Sequence, residues 1–272
     1  MRAVTIDPVT RIEGHAKISI FMDENGEVAD AQLNVTQIRG FERFTAGRPF
    51  YEMPSITARI CGICPVSHLL ASSKACDAIM AVKIPEPGFK LRQLVHKGQI
   101  IQSHALSFFH LSAPDLLLGF DSDPAKRNVL GLLEKFPDAA KQGVWLRKFG
   151  QQIIEWISHD RVHPHGIVPG GMSDPLSKEV RDRILTEMPY AIKIAEGAVK
   201  LLSSMLDQFP EEIAISAISI PCIWASSTRT AGWPCMTVPC ASWTPKARSS
   251  RKSPIRTSIR GSSARRSSPG PT

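Results

Sequence analysis

The stretch Arg59-Ile60-Cys61-Gly62-Ile63-Cys64-Pro65-Val66-Ser67-His68 holds two cysteines with two residues between them and a histidine four places beyond the second. Thiolates are soft ligands, and the Cys-x-x-Cys spacing lets both sulfurs reach one metal ion. Pro65 suits the first turn of a helix, where the N–H it lacks would be unpaired in any case. The pattern therefore predicts a helix from Pro65 to Val82, with Leu69, Leu70, Cys76, Ile79 and Met80 on its buried face. A helix starting there sets the cysteine pair at an N-terminus, where backbone N–H groups and the helix dipole favour thiolates. Two thiolates are half of a four-sulfur site, so the rest of the chain must say where the other half lies.

Taken alone, the pair has other readings. A zinc site needs two further ligands, for which His68 and Cys76 are candidates. A thioredoxin-like redox pair is another, but the flanking sequence lacks the alternating strand and helix pattern that goes with one.

N-terminal to the motif, Ala16 to Met22 and part of Val28 to Ile38 alternate apolar and polar residues, and Asp23-Glu24-Asn25-Gly26 between them is rich in turn residues. Asn-Gly is a strong hairpin signal, so two antiparallel strands are predicted. Asp7 to His15 forms a dense polar stretch ahead of them. C-terminal to the motif, Pro85 and Pro87 end the first helix. Leu94, Ile101, Ala105 and Phe108 recur at helical spacing within Leu91–Leu111, and Leu146, Phe149, Ile153 and Ile157 form a third stripe. The longest helix spans Lys178–Leu206, where Met188, Ile192, Ala195, Val199 and Leu202 alternate steps of four and three, the seam of a helix packed in a bundle. Arg161 to Gly171, with its His-Pro and Pro-Gly-Gly, reads as a loop. The fold class is thus α+β and predominantly helical, a small N-terminal antiparallel sheet followed by a helical bundle.

Composition narrows the function. With 43% apolar residues among 272, the chain has material for a sizeable core. Six cysteines in a chain this long do not make a disulfide framework, and a close pair in a cytosolic setting points to metal or redox chemistry. The N-terminal residues contain no signal-peptide-like apolar run, and the sequence has no uninterrupted run of about 18 apolar residues, so a cytoplasmic protein without a membrane span is expected. The formal charge of +8 is misleading, because residues 213–272 hold nine of the 33 basic side chains and none of the 25 acidic ones. The first 212 residues are close to neutral, so the overall charge is no nucleic-acid footprint.

Two segments follow from this. Residues 1–212 read as one domain; residues 213–272 read as an aberrant, basic Ser/Arg/Pro-rich tail without periodicity, expected to be disordered. The tail has thirteen Ser and three of the five Trp, but no Leu, Asp, Glu, Asn, Gln or His. That mixture reads as a G+C-rich coding region translated in the wrong frame; a genuine basic tail is the alternative.

From Val4 to Glu212 the chain resembles the N-terminal part of the large, catalytic subunit of nickel–iron hydrogenases. Arg59-x-Cys61-Gly62-x-Cys64-x-x-x-His68 is similar to the family's N-terminal cysteine motif. Arg11-Ile12-Glu13-Gly14-His15, Arg39-Gly40-Phe41-Glu42 and His163-Pro164 followed by Pro169-Gly170-Gly171 are similar to three further motifs, in the right order. The details around Cys61–His68 and Gln102–His110 resemble the soluble, bidirectional, NAD-linked branch.

The resemblance implies a nickel held by four thiolates, two of them bridging to an iron that carries carbon monoxide and cyanide. Cys61 would be a terminal nickel ligand and Cys64 a bridging one. Dihydrogen would be oxidised reversibly by heterolytic cleavage, leaving a hydride on the metals and a proton on a nearby base. Glu13 matches the proton-transfer carboxylate, His68 a histidine that hydrogen-bonds a bridging sulfur, and Glu42 a ligand of a separate magnesium ion. Implied partners are an iron–sulfur small subunit, flavin-containing diaphorase subunits carrying FMN and NAD, a maturation protease and nickel-insertion factors.

The family's second motif, Asp-Pro-Cys-x-x-Cys, has no counterpart here: Cys222, Cys235 and Cys240 are not so spaced, and no His follows His165. A chain truncated or frameshifted after the first half of the site, and inactive as written, is the expectation. The alternative is a non-catalytic homologue resembling the quinone-reducing subunit of respiratory complex I, against which the retention of both cysteines argues. Without the resemblance, Glu13 reads as a partner for Arg11 or a turn cap, and Glu42 as a surface ion pair with Arg39 or Arg43. Cys76, His104 and His110 read as core or interface residues, and His163 and His165 as loop positioners.

Overall fold

The computed structural model describes residues 2–208, and the expected tail and its boundary lie outside them. The fold class is as expected, a mostly helical protein with a small antiparallel sheet. That sheet has three strands, β1 (Arg2–Ile6), β2 (Ala16–Met22) and β3 (Val28–Val35), in the order β1-β2-β3. β1 went unread because five residues are too short to display alternation. The β2–β3 turn forms as the sequence predicts: Asp23 accepts the N–H groups of Asn25 and Glu27, and Gly26 takes the left-handed conformation at φ 81°.

Short helices α1 (Phe41–Phe44) and α2 (Met53–Thr57) lead to the cysteine stretch. Next come α3 (Pro65–Ile79), α4 (Glu86–Ala105), α5 (Ala113–Leu118), α6 (Val129–Lys135) and α7 (Pro137–Ser158). A two-residue hairpin pair, β4 (Ile167–Val168) and β5 (Gly171–Met172), precedes α8 (Lys178–Met205). The stretch read as a plain loop thus folds back on itself.

Four expectations change. The first helix ends at Ile79, and Ile79 and Met80 are exposed rather than buried; Val66, Ser73 and Asp77 complete the inner face instead. The helix predicted over Leu91–Leu111 is not uniform: after α4 the backbone widens into a π-helical segment, Leu106–Ser112. Pro114 stands just beyond it and has no N–H to continue the ladder. α8 is also turned relative to the predicted seam. Ile184, Ala191 and Ile194 are buried, whereas Ile192 and Val199 are 51% and 64% exposed. The helix carries two apolar stripes at compatible spacing, and periodicity alone does not choose between them. Finally, of the core and interface readings of His104 the core one fails: the ring is exposed and its Nδ1 donates to Ile100 O on its own helix at 2.9 Å.

The core lies between α3, α4, α7 and α8, around Phe149, Val95, Ile153, Ile154, Leu69 and Val66. The α7 stripe Leu146, Phe149, Ile153 and Ile157 is buried as read. α4 and α7 cross with their backbones in contact. A Cβ on Gly150 would lie 2.6 Å from Gln102 N and 2.7 Å from Gly98 O, so only glycine allows this approach. A buried ion pair ties α3, α4 and the β4–β5 hairpin together. Arg92 meets Asp77 at 2.6 Å and donates to Gly171 O and Val168 O, while Gly170 N donates to Asp77 at 2.7 Å.

Candidate metal centre

Cys61 leaves the 3-10 turn Ala58–Ile60 in an extended conformation, and Cys64 caps the start of α3. The turn between them brings the sulfurs 2.9 Å apart, with the Cys64 thiol donating to Cys61. The N–H groups of Ile63 and Cys64 donate to Cys61 Sγ at 3.3 and 3.2 Å. Neither cysteine is in a disulfide. One turn into α3, His68 brings a ring nitrogen within 4.8 Å of both sulfurs; among the described residues this trio is the only such group of three or more candidate ligands.

Glu13 completes the constellation: its Oε1 accepts from Cys61 Sγ at 3.1 Å. Arg11 is not its partner. Arg11 instead pairs with Asp115 at 2.7 Å and donates to Leu111 O, which pins the polar N-terminal stretch to α5 and leaves Glu13 for the sulfur. Burial, the hydrogen bond to Cys61 and the negative charge of Cys61 and Glu13 push the Cys64 thiol up to about 12. Two sulfurs and a carboxylate this close repel one another when ionised, and a cation bound between the sulfurs relieves that repulsion.

Other predicted residues fall elsewhere. Glu42 is exposed at the start of α1 and pairs with Arg39; backbone N–H groups there, then Arg39, hold its carboxyl below the usual range. Cys76 is buried and its thiol donates to Phe50 O at 3.2 Å, outside the cluster, so the zinc arrangement through Cys76 is not assembled. His163 Nδ1 donates to Ala58 O at 3.0 Å, holding its loop to the turn that leads into Cys61. His165 lies beside His159, with ring centroids 5.3 Å apart.

Two residues near the site carry a role that the sequence does not announce, Gln102 having a place only in the Gln102–His110 motif and Gln99 none. Gln99 and Gln102, on the inner face of α4, both donate to Ile63 O, the carbonyl between the cysteines, at 2.8 and 2.6 Å. Neither is titratable, and their local signal is two amides three apart on the inner face of α4, which also buries Arg92, Val95, Gly98 and Ala105.

Sulfur donors, an imidazole and an adjacent carboxylate thus come together as a group that could hold a thiophilic metal ion, on a scaffold that known proteins share. Residues 3–38 match the HoxL-like model and residues 39–127 the nickel-dependent hydrogenase model. The vhu subunit of the F420-non-reducing hydrogenase of Methanocaldococcus jannaschii is 48% identical over 213 residues, covering 78% of this chain and 51% of that protein. The NAD-reducing hydrogenase HoxS subunit beta of Cupriavidus necator is 45% identical over 190 residues, covering 68% and 39%. An NAD+-reducing NiFe-hydrogenase in its H2-reduced state superposes with a TM-score of 0.75 at 45% identity, covering 79% of this chain and 47% of that one. The reduced Ni-Fe-Se hydrogenase of D. vulgaris Hildenborough gives 0.66 at 31%, covering 77% and 45%. The chain belongs to the nickel-dependent hydrogenase large-subunit family. It spans about half the length of the curated relatives it matches.

Proposed function

We propose that this chain carries the N-terminal half of a nickel–iron centre in a hydrogenase that oxidises dihydrogen reversibly. The observation that carries the reading is the Cys61–Cys64–His68 group with Glu13 hydrogen-bonded to Cys61. The donor set fits the group: soft, partly buried sulfurs on a turn that already supplies N–H bonds to one of them. Cys61 would be the terminal nickel ligand and Cys64 the bridging one. When bound, the centre, with an iron carrying carbon monoxide and cyanide, would supply Lewis acidity and redox capacity. Glu13 would receive the proton at Cys61 Sγ, to which it is hydrogen-bonded at 3.1 Å. His68, whose ring nitrogen lies within 4.8 Å of both sulfurs, would donate to one of them and so tune its charge. Glu42 would hold magnesium after releasing Arg39, an oxygen donor being suited to a hard ion.

A four-thiolate centre needs two more sulfurs than the trio offers. They would come from a second cysteine motif, which residues 1–272 do not contain, so this chain by itself is proposed to be inactive. We take residues 213–272 as an aberrant tail replacing that part. An iron–sulfur small subunit would receive the electrons, and a maturation protease and nickel-insertion factors would act on the complete subunit. NAD as acceptor, through FMN-containing diaphorase subunits in the cytoplasm, draws on the 45% identity with the NAD-reducing relative. The 48% identity with a hydrogenase named only as F420-non-reducing keeps a second reading, in which the acceptor is neither F420 nor NAD.

The test is a complete large subunit carrying residues 2–208, matured with its small subunit. Cys61→Ser and Cys64→Ser should each abolish nickel retention and hydrogen-dependent reduction of a viologen dye. Wild-type nickel content in either variant sinks the assignment. Pyridine-nucleotide reduction in the same preparation separates the two acceptors.

A further inference from the structure

We propose that Gln99 and Gln102 are positioning residues that hold the cysteine turn in its metal-binding conformation before any metal arrives. The inference rests on the reading of Cys61 and Cys64 as a ligand pair. Ile63 O sits at the middle of that turn, and a carbonyl oxygen has two lone pairs. Both are taken, by amide N–H groups from successive positions on one face of α4, at 2.8 and 2.6 Å. With Ile63 O held from above, Ile63 N and Cys64 N point back at Cys61 Sγ, and the two sulfurs meet on one side. The donors are well fixed, because α4 cannot slide where Gly98 and Gly150 bring it against α7.

Gln99 shows that this is more than packing. The residue is 3% exposed, and its Oε1 is buried without a hydrogen-bond donor among the described residues. Leaving that oxygen unpaired costs stability, and a methionine of similar shape avoids the cost. Stability alone therefore does not account for an amide here; its Nε2–H to Ile63 O does. Replacing Gln99 leaves Ile63 O still bonded by Gln102, so no new unpaired group appears.

The experiment uses the full 272-residue chain, reduced, with Cd2+ as the soft-metal probe, read by its thiolate charge-transfer absorbance and by competition with a chelator. Gln99→Met should melt at or above the wild-type temperature yet bind Cd2+ about 10-fold more weakly, the range seen when an outer partner of a metal ligand is removed. Gln99→Met/Gln102→Met should weaken binding further. Ile153→Val, a core change on α7, should lower the melting temperature and leave Cd2+ affinity unchanged. Wild-type binding by a folded Gln99→Met overturns the brace while leaving the ligand pair standing. Failure of the wild-type chain to bind Cd2+ overturns both.

Discussion

Replacing Gly150 with alanine puts a methyl carbon where α4 and α7 touch, and its consequences can be worked from the contacts. The new Cβ would stand 2.6 Å from Gln102 N, 2.7 Å from Gly98 O and 2.9 Å from Gln102 Cβ. Ordinary contact begins near about 3.5 Å, so the two helices must part by about 1 Å at the crossing. Two of the three atoms are backbone and cannot rotate away, and the strain spreads into the Phe149, Ile153 and Ile154 packing. Overpacking costs about 1–3 kcal/mol, and two backbone contacts under 3.0 Å put this case in the upper part of that range, at about 2–3 kcal/mol. The better helix propensity of alanine returns up to about 1 kcal/mol, which leaves a net loss of about 1–2 kcal/mol. For a protein of this size that lowers the melting temperature by about 2–8 °C. Differential scanning calorimetry reads it directly. Because the methyl pushes on Gln102 itself, the same variant should also bind Cd2+ more weakly. A Gly150→Ala protein that melts at or above the wild-type temperature refutes the backbone contact and the helix placement built on it.

Three further outcomes are expected. Gly197→Ala, on α8 with nothing within 4 Å of the added methyl, should raise stability by about 0.5–1 kcal/mol, the opposite sign from Gly150 in the same calorimeter. Asp77→Ala leaves Arg92 buried without its carboxylate and Gly170 N without its acceptor, so urea denaturation should show a loss of about 3–5 kcal/mol. Stability should also fall on mild acidification: burial pushes the His96 and His110 rings below the ordinary 6.5, helped by Lys97 and Arg147 and opposed at His110 by the Ala105 carbonyl. The unfolded chain then binds more protons than the folded one, so stability is intact above pH 6.5 and declines as pH drops below it. Denaturant midpoints measured from pH 7.5 to 5 that stay flat in wild type and in His110→Phe would count against these half-buried neutral rings.

The cysteine turn, the hairpin at Asn25-Gly26, the four long helical segments and the α7 stripe are legible in the chain because each is a local pattern. Turn chemistry, the missing N–H of proline and a 3.6-residue period act over a few neighbouring residues. The short β1 and the π-helical segment at Leu106–Ser112 escape because too few residues carry the signal. Glu13 was legible only as a member of a motif. Its place at Cys61, 48 residues away, depends on Arg11 being drawn to Asp115 instead. The sequence by itself determined a half-site, two thiols and a histidine at one helix start, because spacing along the backbone limits where those atoms can go. Only the tertiary structure decided which stripe of α8 is buried, that Cys76 turns away toward Phe50, and that two glutamines close over Ile63 O. Those choices depend on helix rotation and on a glycine-to-glycine crossing between α4 and α7, relations between distant segments that no local period encodes.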